Sequence, residues 1–129
     1  MSERLLLDTC ALLWLVEGKD ALKDSVRDQI DEAAVVLVSP ITAWEISLKV
    51  ARSELTLPSE PEVWFEAVLQ AHDLELAPLN PEVLMLANRL PWHHRDPADR
   101  FIIATATLLK VPVITSDRRF NDYPVRVIF

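Results

Sequence analysis

The stretch RLLLDTCALLWLVEG, residues 4–18, determines how the rest of the chain is interpreted. Its apolar run from Arg4 to Leu7 ends in Asp8-Thr9, and a second apolar segment from Ala11 to Glu17 stops near Gly18. This pattern predicts a short buried strand that turns directly into a helix. The carboxylate of Asp8 then lies at the end of a buried strand, where it is costly unless something nearby uses its charge.

The same alternation of apolar strands and helices continues along the chain. Further strands are predicted at Val35 to Val38, Leu74 to Ala77, Val111 to Thr115 and Val125 to Ile128. Helices are predicted from Ala21 to Glu32, Ile41 to Arg52, a capping box at Ser59 to Glu62 through to His72, Asn80 to Leu90, and Ala98 to Leu109 behind an Asp96-Pro97 cap. Because the strands are apolar throughout, we predict an α/β fold with a parallel sheet covered on both faces, in a single domain over residues 1–129.

Four carboxylates, those of Asp8, Glu45, Asp99 and Asp117, occur where a strand ends or a helix begins. Ligands of parallel sheets bind outside the carboxyl ends of the strands. Two such charges about 4 Å apart repel by roughly 1 kcal/mol in water and about 4 kcal/mol near a protein surface. A bound Mg²⁺ or Mn²⁺ removes that penalty, so the pattern suggests an acidic metal site assembled by the fold.

Each of these acids also has an explanation that needs no chemistry. An Asx turn or helix cap accounts for Asp8, and an ordinary helical ion pair with Lys49 accounts for Glu45. Interaction with the dipole of its helix accounts for Asp99, and a turn accounts for Asp117. No single acid therefore decides the function.

Two short cationic and aromatic clusters, Trp92 to Arg95 and Arg118 to Phe120, flank two of the acids. Such clusters hold phosphates or stack bases, although a solvated loop is an equally simple interpretation. A zinc site is a weaker hypothesis, because the chain has one cysteine and two of its histidines are adjacent. Its ligands would be His72, His93 and His94. Three tryptophans within predicted helices are expected in the core: Trp14, Trp44 and Trp64.

The composition excludes several classes of protein. The net charge of −7 argues against a broad basic face for nucleic acid. Gly18 is the only glycine, which excludes both the P-loop and the dinucleotide fingerprint. Cys10, the only cysteine, is expected to be a small buried apolar residue in a reducing compartment. No apolar run is long enough for a membrane span, so we expect a cytoplasmic protein.

Taken together, four motifs in register resemble those of the PIN-domain nucleases, in particular the VapC-type toxins of bacterial toxin–antitoxin pairs. These motifs are Leu5 to Thr9, Ser39 to Ile46, Asp96 to Ala104 and Thr115 to Phe120. They span almost the whole chain in the right order. The resemblance implies a PIN-like α/β/α sandwich with a mostly parallel central sheet and endoribonuclease activity.

The same resemblance implies that Asp8, Glu45, Asp99 and Asp117 surround one or two Mg²⁺ ions, for which Mn²⁺ can substitute. Asp8 and Asp99 are expected to be direct ligands, and the other two acids to position water or a second ion. Thr9 and Ser116 match positions that support the site. The resemblance also implies an RNA substrate, a cognate antitoxin protein and a homodimer, with specificity in loops such as Leu90 to Arg95.

Two other classes stay open on the sequence alone. A non-catalytic PIN-like module that only binds another protein would keep the fold without the chemistry, although four intact acids argue against it. An aspartyl-phosphate phosphatase needs a second Asp where Cys10 stands, and a receiver domain needs an acidic pair that is absent from the sequence.

Overall fold

A computed structural model describes residues 3–18 and 20–129, and the strands and helices follow in the order expected of an α/β fold. The strands are β1 (Arg4–Leu7), β2 (Val35–Val38), β3 (Leu74–Leu76), β4 (Val113–Ile114) and β5 (Val127–Ile128). The α-helices are α1 (Thr9–Glu17), α2 (Asp24–Glu32), α3 (Pro40–Ala51), α4 (Pro61–Ala71), α5 (Pro81–Arg89) and α6 (Pro97–Leu109). A 3₁₀ turn covers Arg118–Asp122.

The strands form one parallel sheet in the order β3-β2-β1-β4-β5. β1 is central, and Leu6 is paired with Leu37 on one side and with Val113 on the other. The chain first extends the sheet from β1 to β3 and then returns to add β4 on the opposite side of β1. The sheet therefore has its topological switch point between β1 and β4, where such folds form a ligand crevice.

Alternate residues of β1 face two different hydrophobic cores. Leu5 and Leu7 pack with the helices on one face, including α1, α2 and α4. Leu6 packs on the other face with α5, α6 and the 3₁₀ turn. The predicted α/β/α sandwich is thus confirmed. Within the described residues no helix is both long and apolar enough to cross a membrane.

Several local predictions are corrected by the structure. Glu60 rather than Ser59 precedes α4 and makes no side-chain cap, because Pro61 fixes the first helical position. Trp44 is 54% exposed, since it lies two residues from the buried Thr42 and Ile46 and so faces away from the core. Cys10 is exposed, in contrast to the buried position predicted for it.

Candidate metal-binding active site

Asp8 lies at the carboxyl end of β1 and is also the N-cap of α1. Its Oδ1 accepts a hydrogen bond of 2.8 Å from the Ala11 N–H, and only 5% of the residue is exposed. The pKa of Asp8 is raised to about 6, and burial is the largest cause. Hydrogen bonds from Thr115 and Ala11 lower the pKa, whereas the negative charges of Glu45 and Asp117 add to the increase. Asp8 is therefore a helix cap, which is the explanation that needs no chemistry. It is also part of a group of interacting acids.

Glu45 reaches this group from α3. The helix begins behind Ser39, whose Oγ accepts a hydrogen bond of 3.1 Å from the Ile41 N–H. The Thr9 hydroxyl donates to Glu45 Oε1 over 2.6 Å and lies 3.1 Å from the buried Thr42 hydroxyl. The alternative explanation of Glu45, an ion pair with Lys49, is not found among the ion pairs of the described residues.

Asp99 stands in the first turn of α6, behind the Asp96 side chain that caps this helix through the Ala98 N–H at 3.0 Å. Burial raises the pKa of Asp99 to about 8, with further contributions from the charges of Asp96 and Glu45. No hydrogen-bond donor from the part of the chain that the structure describes reaches its carboxylate with acceptable geometry. Asp99 is thus the acid of the group whose negative charge is least stabilised by hydrogen bonds.

Asp117 follows β4 and precedes the 3₁₀ turn, so it lies on the other side of the switch point from Asp8. Burial opposes its ionisation, but hydrogen bonds from the Arg119 side chain and backbone and from His94 outweigh this and lower the pKa of Asp117 to about 2. The Arg119 side chain is 60% exposed and contacts both carboxylate oxygens, at 3.1 and 3.0 Å. Asp117 is therefore held as an anion by protein donors.

His94 completes the site, and its role was missed in the sequence. His94 is fully buried, and its Nε2 lies 2.8 Å from Asp117 Oδ2 and 3.0 Å from Asp99 Oδ2. One ligand atom from each of these three residues lies within 4.8 Å of the others. The weaker zinc hypothesis is not supported, since the group of possible ligands found among the described residues contains neither His72 nor His93. Only the tertiary structure distinguishes His94 from its neighbour.

The predicted supporting residues differ in their surroundings. Thr9 is buried and contacts Glu45, whereas Ser116 is exposed. The buried Thr115 lies between two acids: its hydroxyl hydrogen-bonds to Asp8 and accepts a hydrogen bond of 3.0 Å from the Asp117 N–H. Thr115 is a second contributor that the sequence did not indicate.

The donor chemistry of this site fits a hard divalent cation. Its four carboxylates supply the oxygen ligands that Mg²⁺ prefers, and no thiol is among them. Burial and mutual repulsion raise the pKa values of Asp8 and Asp99. A cation bound beside them would relieve that repulsion. Fold and site together define a class: α/β/α proteins with an acidic crevice at the sheet's switch point.

The chain belongs to the PIN domain family, whose match covers residues 5–125. The family expected from the four motifs is thereby confirmed. Among curated proteins no match is found.

Solved structures share this fold over nearly the whole chain. One chain of FitAcB from Neisseria gonorrhoeae is 23% identical, with 97% of this chain and 96% of that chain covered and a TM-score of 0.66. VapBC2 from Rickettsia felis, bound to a DNA fragment from its promoter, is 13% identical with 97% coverage of each chain and a TM-score of 0.73. DNA-bound VapBC from Salmonella typhimurium is 18% identical with 99% and 98% coverage and a TM-score of 0.68.

Proposed function

We propose that this chain is a Mg²⁺- or Mn²⁺-dependent endoribonuclease that acts in the cytoplasm as the toxin of a toxin–antitoxin pair. The observation that carries the proposal is the convergence of Asp8, Glu45, Asp99 and Asp117 at one edge of the sheet, where their charges act on one another. Membership of the PIN family supports nuclease chemistry. The VapBC2 and FitAcB structures, which have the same fold, support the toxin role.

Asp8 and Asp99 are the proposed direct ligands, because burial and neighbouring negative charges raise the pKa values of both and a bound cation would offset this cost. Glu45, oriented by Thr9, and Asp117, held by Arg119, are proposed to position water. Bound Mg²⁺ supplies Lewis-acid stabilisation of the phosphate and an activated water for in-line displacement.

The chain's own contribution is to hold the acids in fixed positions. Thr115 hydrogen-bonds to Asp8 and accepts the Asp117 N–H, so it links the acids at the carboxyl ends of β1 and β4. The supporting role of Ser116 stays a prediction.

Total bacterial RNA incubated with the purified protein in Mg²⁺ or Mn²⁺ tests this proposal. We expect new RNA ends at a few sites, lost with EDTA and in the Asp8→Asn and Asp99→Asn variants. Asp24→Asn is the matched control, because Asp24 is an exposed acid in the first turn of α2. Ends that persist in EDTA, or that vanish equally in Asp24→Asn, would contradict the proposal.

The alternative, a PIN-like module that only binds another protein, predicts no metal-dependent RNA ends. It also gives no reason for Mn²⁺ to bind through Asp8 and Asp99. Calorimetric titration of Mn²⁺ into the wild type and these two variants separates the two functions without relying on a particular RNA substrate.

An apolar groove between α3 and α4 is the proposed place of the antitoxin. It has a volume of about 530 Å³, with Trp44, Phe65 and Leu76 among its apolar lining and Glu62 and Glu66 among its acidic lining. Trp44 and Leu76 are 54% and 52% exposed. An antitoxin segment with apolar anchors and basic flanks complements this surface, and a basic side chain further along could enter the acidic crevice.

Co-purification with the protein encoded by the adjacent gene tests the groove. We expect Trp44→Glu to abolish capture, whereas Val63→Glu, an exposed apolar position on α4 outside the groove lining, should leave it intact. Equal capture by both variants would show that the antitoxin binds to a different surface. Sedimentation of the purified chain tests the proposed homodimer.

A further inference from the structure

The side chain of Arg100 organises the loop that carries His94. Arg100 is 2% exposed, and its Nη1 donates to the Pro91 and His94 carbonyls at 2.9 Å each. Its Nη2 donates to the carbonyls of Ala87 and Leu90, at the carboxyl end of α5. A guanidinium spread over four carbonyls fixes the course of the chain between α5 and α6, because its loss would remove a donor from the buried bonds to the Ala87, Leu90 and His94 carbonyls.

Two more contacts complete this scaffold. The Trp92 ring lies over the guanidinium of Arg100, with 3.5 Å between Cζ and the ring centroid. The Tyr123 hydroxyl donates to the Pro91 carbonyl over 2.6 Å and accepts the His94 N–H over 2.9 Å. The backbone of His94 is thus bonded on both its N–H and its carbonyl, which fixes the position from which the imidazole extends.

The imidazole in this scaffold has a defined tautomer. The backbone N–H of Asp96 points at His94 Nδ1 over 3.2 Å. Because a backbone N–H is always a donor, Nδ1 must be the acceptor, and the hydrogen of the neutral ring is on Nε2. Nε2 faces Asp117 Oδ2 at 2.8 Å, which accepts that hydrogen. Rotating the ring by half a turn would place carbon atoms opposite both groups and lose both bonds.

From this geometry we infer that His94 is a positioning residue, which locks the Asp117 carboxylate through its Nε2–H and takes no direct part in metal binding. A metal-ligating histidine presents a ring lone pair, and the only lone pair of His94 is directed to Asp96. Asp99 Oδ2 lies 3.0 Å from the same nitrogen without receiving a well-formed hydrogen bond. His94 thereby assigns different roles to two neighbouring acids: Asp117 is fixed by the protein and Asp99 is left for the cation.

His94 complements Arg119 in holding Asp117. The Arg119 side chain is 60% exposed and reaches the carboxylate from solvent, whereas the His94 side chain is fully buried. An exposed ion pair contributes little and is screened by salt. The Arg119 backbone N–H also donates to Asp117 Oδ1, and of the two side-chain donors the buried His94 is the one less screened by salt.

The tautomer itself is tested by ¹H–¹⁵N correlation spectra of the metal-free protein, with the His94 ring assigned by its loss in His94→Gln. We expect a proton on Nε2 and none on Nδ1, and no change of tautomer when Mg²⁺ is added. A proton on Nδ1, or loss of the Nε2 proton on addition of Mg²⁺, would overturn the inference. This measurement needs no activity.

The positioning role rests on the proposed nuclease function and is tested by substitution. Gln at position 94 keeps an N–H donor near the place of Nε2 but cannot act as an imidazole ligand. We expect His94→Gln to retain most of the Mn²⁺ affinity and kcat, and His94→Ala to lose about 10- to 100-fold in either quantity, with KM for RNA unchanged. His72→Gln, at the exposed end of α4, is the control.

Equal loss in His94→Gln and His94→Ala would identify His94 as a ligand or a proton carrier, and no loss in either would remove its role. Both results overturn the inference. If the wild type binds Mn²⁺ but cleaves no RNA, the proposed function fails while the calorimetry still tests His94. The two proposals are thus separable in one set of samples.

Discussion

Replacing Asp99 with Asn is expected to make the metal-free protein more stable while it destroys the site. Burial and the charges of Asp96 and Glu45 raise the pKa of Asp99 from 3.8 to about 8. The native state therefore binds a proton that the unfolded state releases at neutral pH. Because the native state holds more protons between about pH 4 and pH 8, stability falls as the pH rises through this window.

The size of the effect follows from the raised pKa. Between 3.8, the ordinary pKa of an aspartate, and pH 7 the difference is about three pH units, or roughly 4 kcal/mol at about 1.4 kcal/mol per unit. The acids of the site titrate as a coupled group, so only part of these roughly 4 kcal/mol belongs to Asp99 itself. When one carboxylate is removed, its neighbours also ionise more easily. A net gain of about 2 kcal/mol is expected at pH 7.

Urea unfolding in EDTA at pH 5, 7 and 8.5 measures this gain. A gain of about 2 kcal/mol moves the urea midpoint up by about 1 M. We expect the advantage of Asp99→Asn to be small at pH 5 and largest at pH 8.5. The control, Asp24→Asn, changes the same residue type in the first turn of α2 at an exposed site and should be slightly destabilising at every pH.

Addition of Mg²⁺ should reverse the order of the two proteins. The wild type gains stability in proportion to the logarithm of the cation concentration once its site fills, and Asp99→Asn gains none. Two results would refute this account: wild-type stability that rises from pH 5 to pH 8.5 in EDTA, or a variant that is less stable than the wild type at pH 8.5.

Three further predictions concern the loop of His94, the site and the core, and each is tested by urea unfolding. Arg100→Lys should cost about 3 kcal/mol or more, because one ammonium cannot replace a guanidinium bonded to four carbonyls, and a loss under 1 kcal/mol would contradict this role. Thr9→Val should cost about 1 kcal/mol through the lost 2.6 Å bond to Glu45 and weaken Mn²⁺ binding in calorimetry, with the exposed Thr56→Val as control. Leu6→Ala, in the middle of the sheet and fully buried, should cost about 2 to 5 kcal/mol, and an unchanged midpoint would show that its core can collapse around the gap.

Most of the fold could be predicted because its signals are local. The run from Val35 to Val38 is a strand with the bounds expected from its apolar residues. Asn80 and Asp96 cap their helices through side-chain hydrogen bonds, as the proline after each one suggested. The strands at Val111 and Val125 are shorter than predicted, since apolar residues that pack beside a sheet cannot be distinguished in sequence from those paired within it.

The positions of the acids could be predicted, but their environments could not. The rule that parallel strands end at one edge is enough to bring Asp8 and Asp117 together. Nothing in the sequence separates the buried His94 from the exposed His93, because the difference arises from Arg100 and Tyr123, which are six and 29 residues away from His94. Buried histidines in loops therefore need the tertiary contacts before a role can be assigned.

The first turn of α6 links the stability of this protein to its chemistry. Asp99 faces the other acids, where its charge raises the energy of the metal-free fold, and the next residue, Arg100, extends the other way to hold the loop of His94. Substitutions of these two neighbouring residues should therefore have opposite effects on the stability of the metal-free protein. Loss of Asp99 should stabilise the metal-free protein and end cation binding, whereas loss of Arg100 should destabilise the protein and also release the donor that orients Asp117. Selection for stability alone would remove Asp99 and keep Arg100, so the presence of both supports a site maintained for its charge.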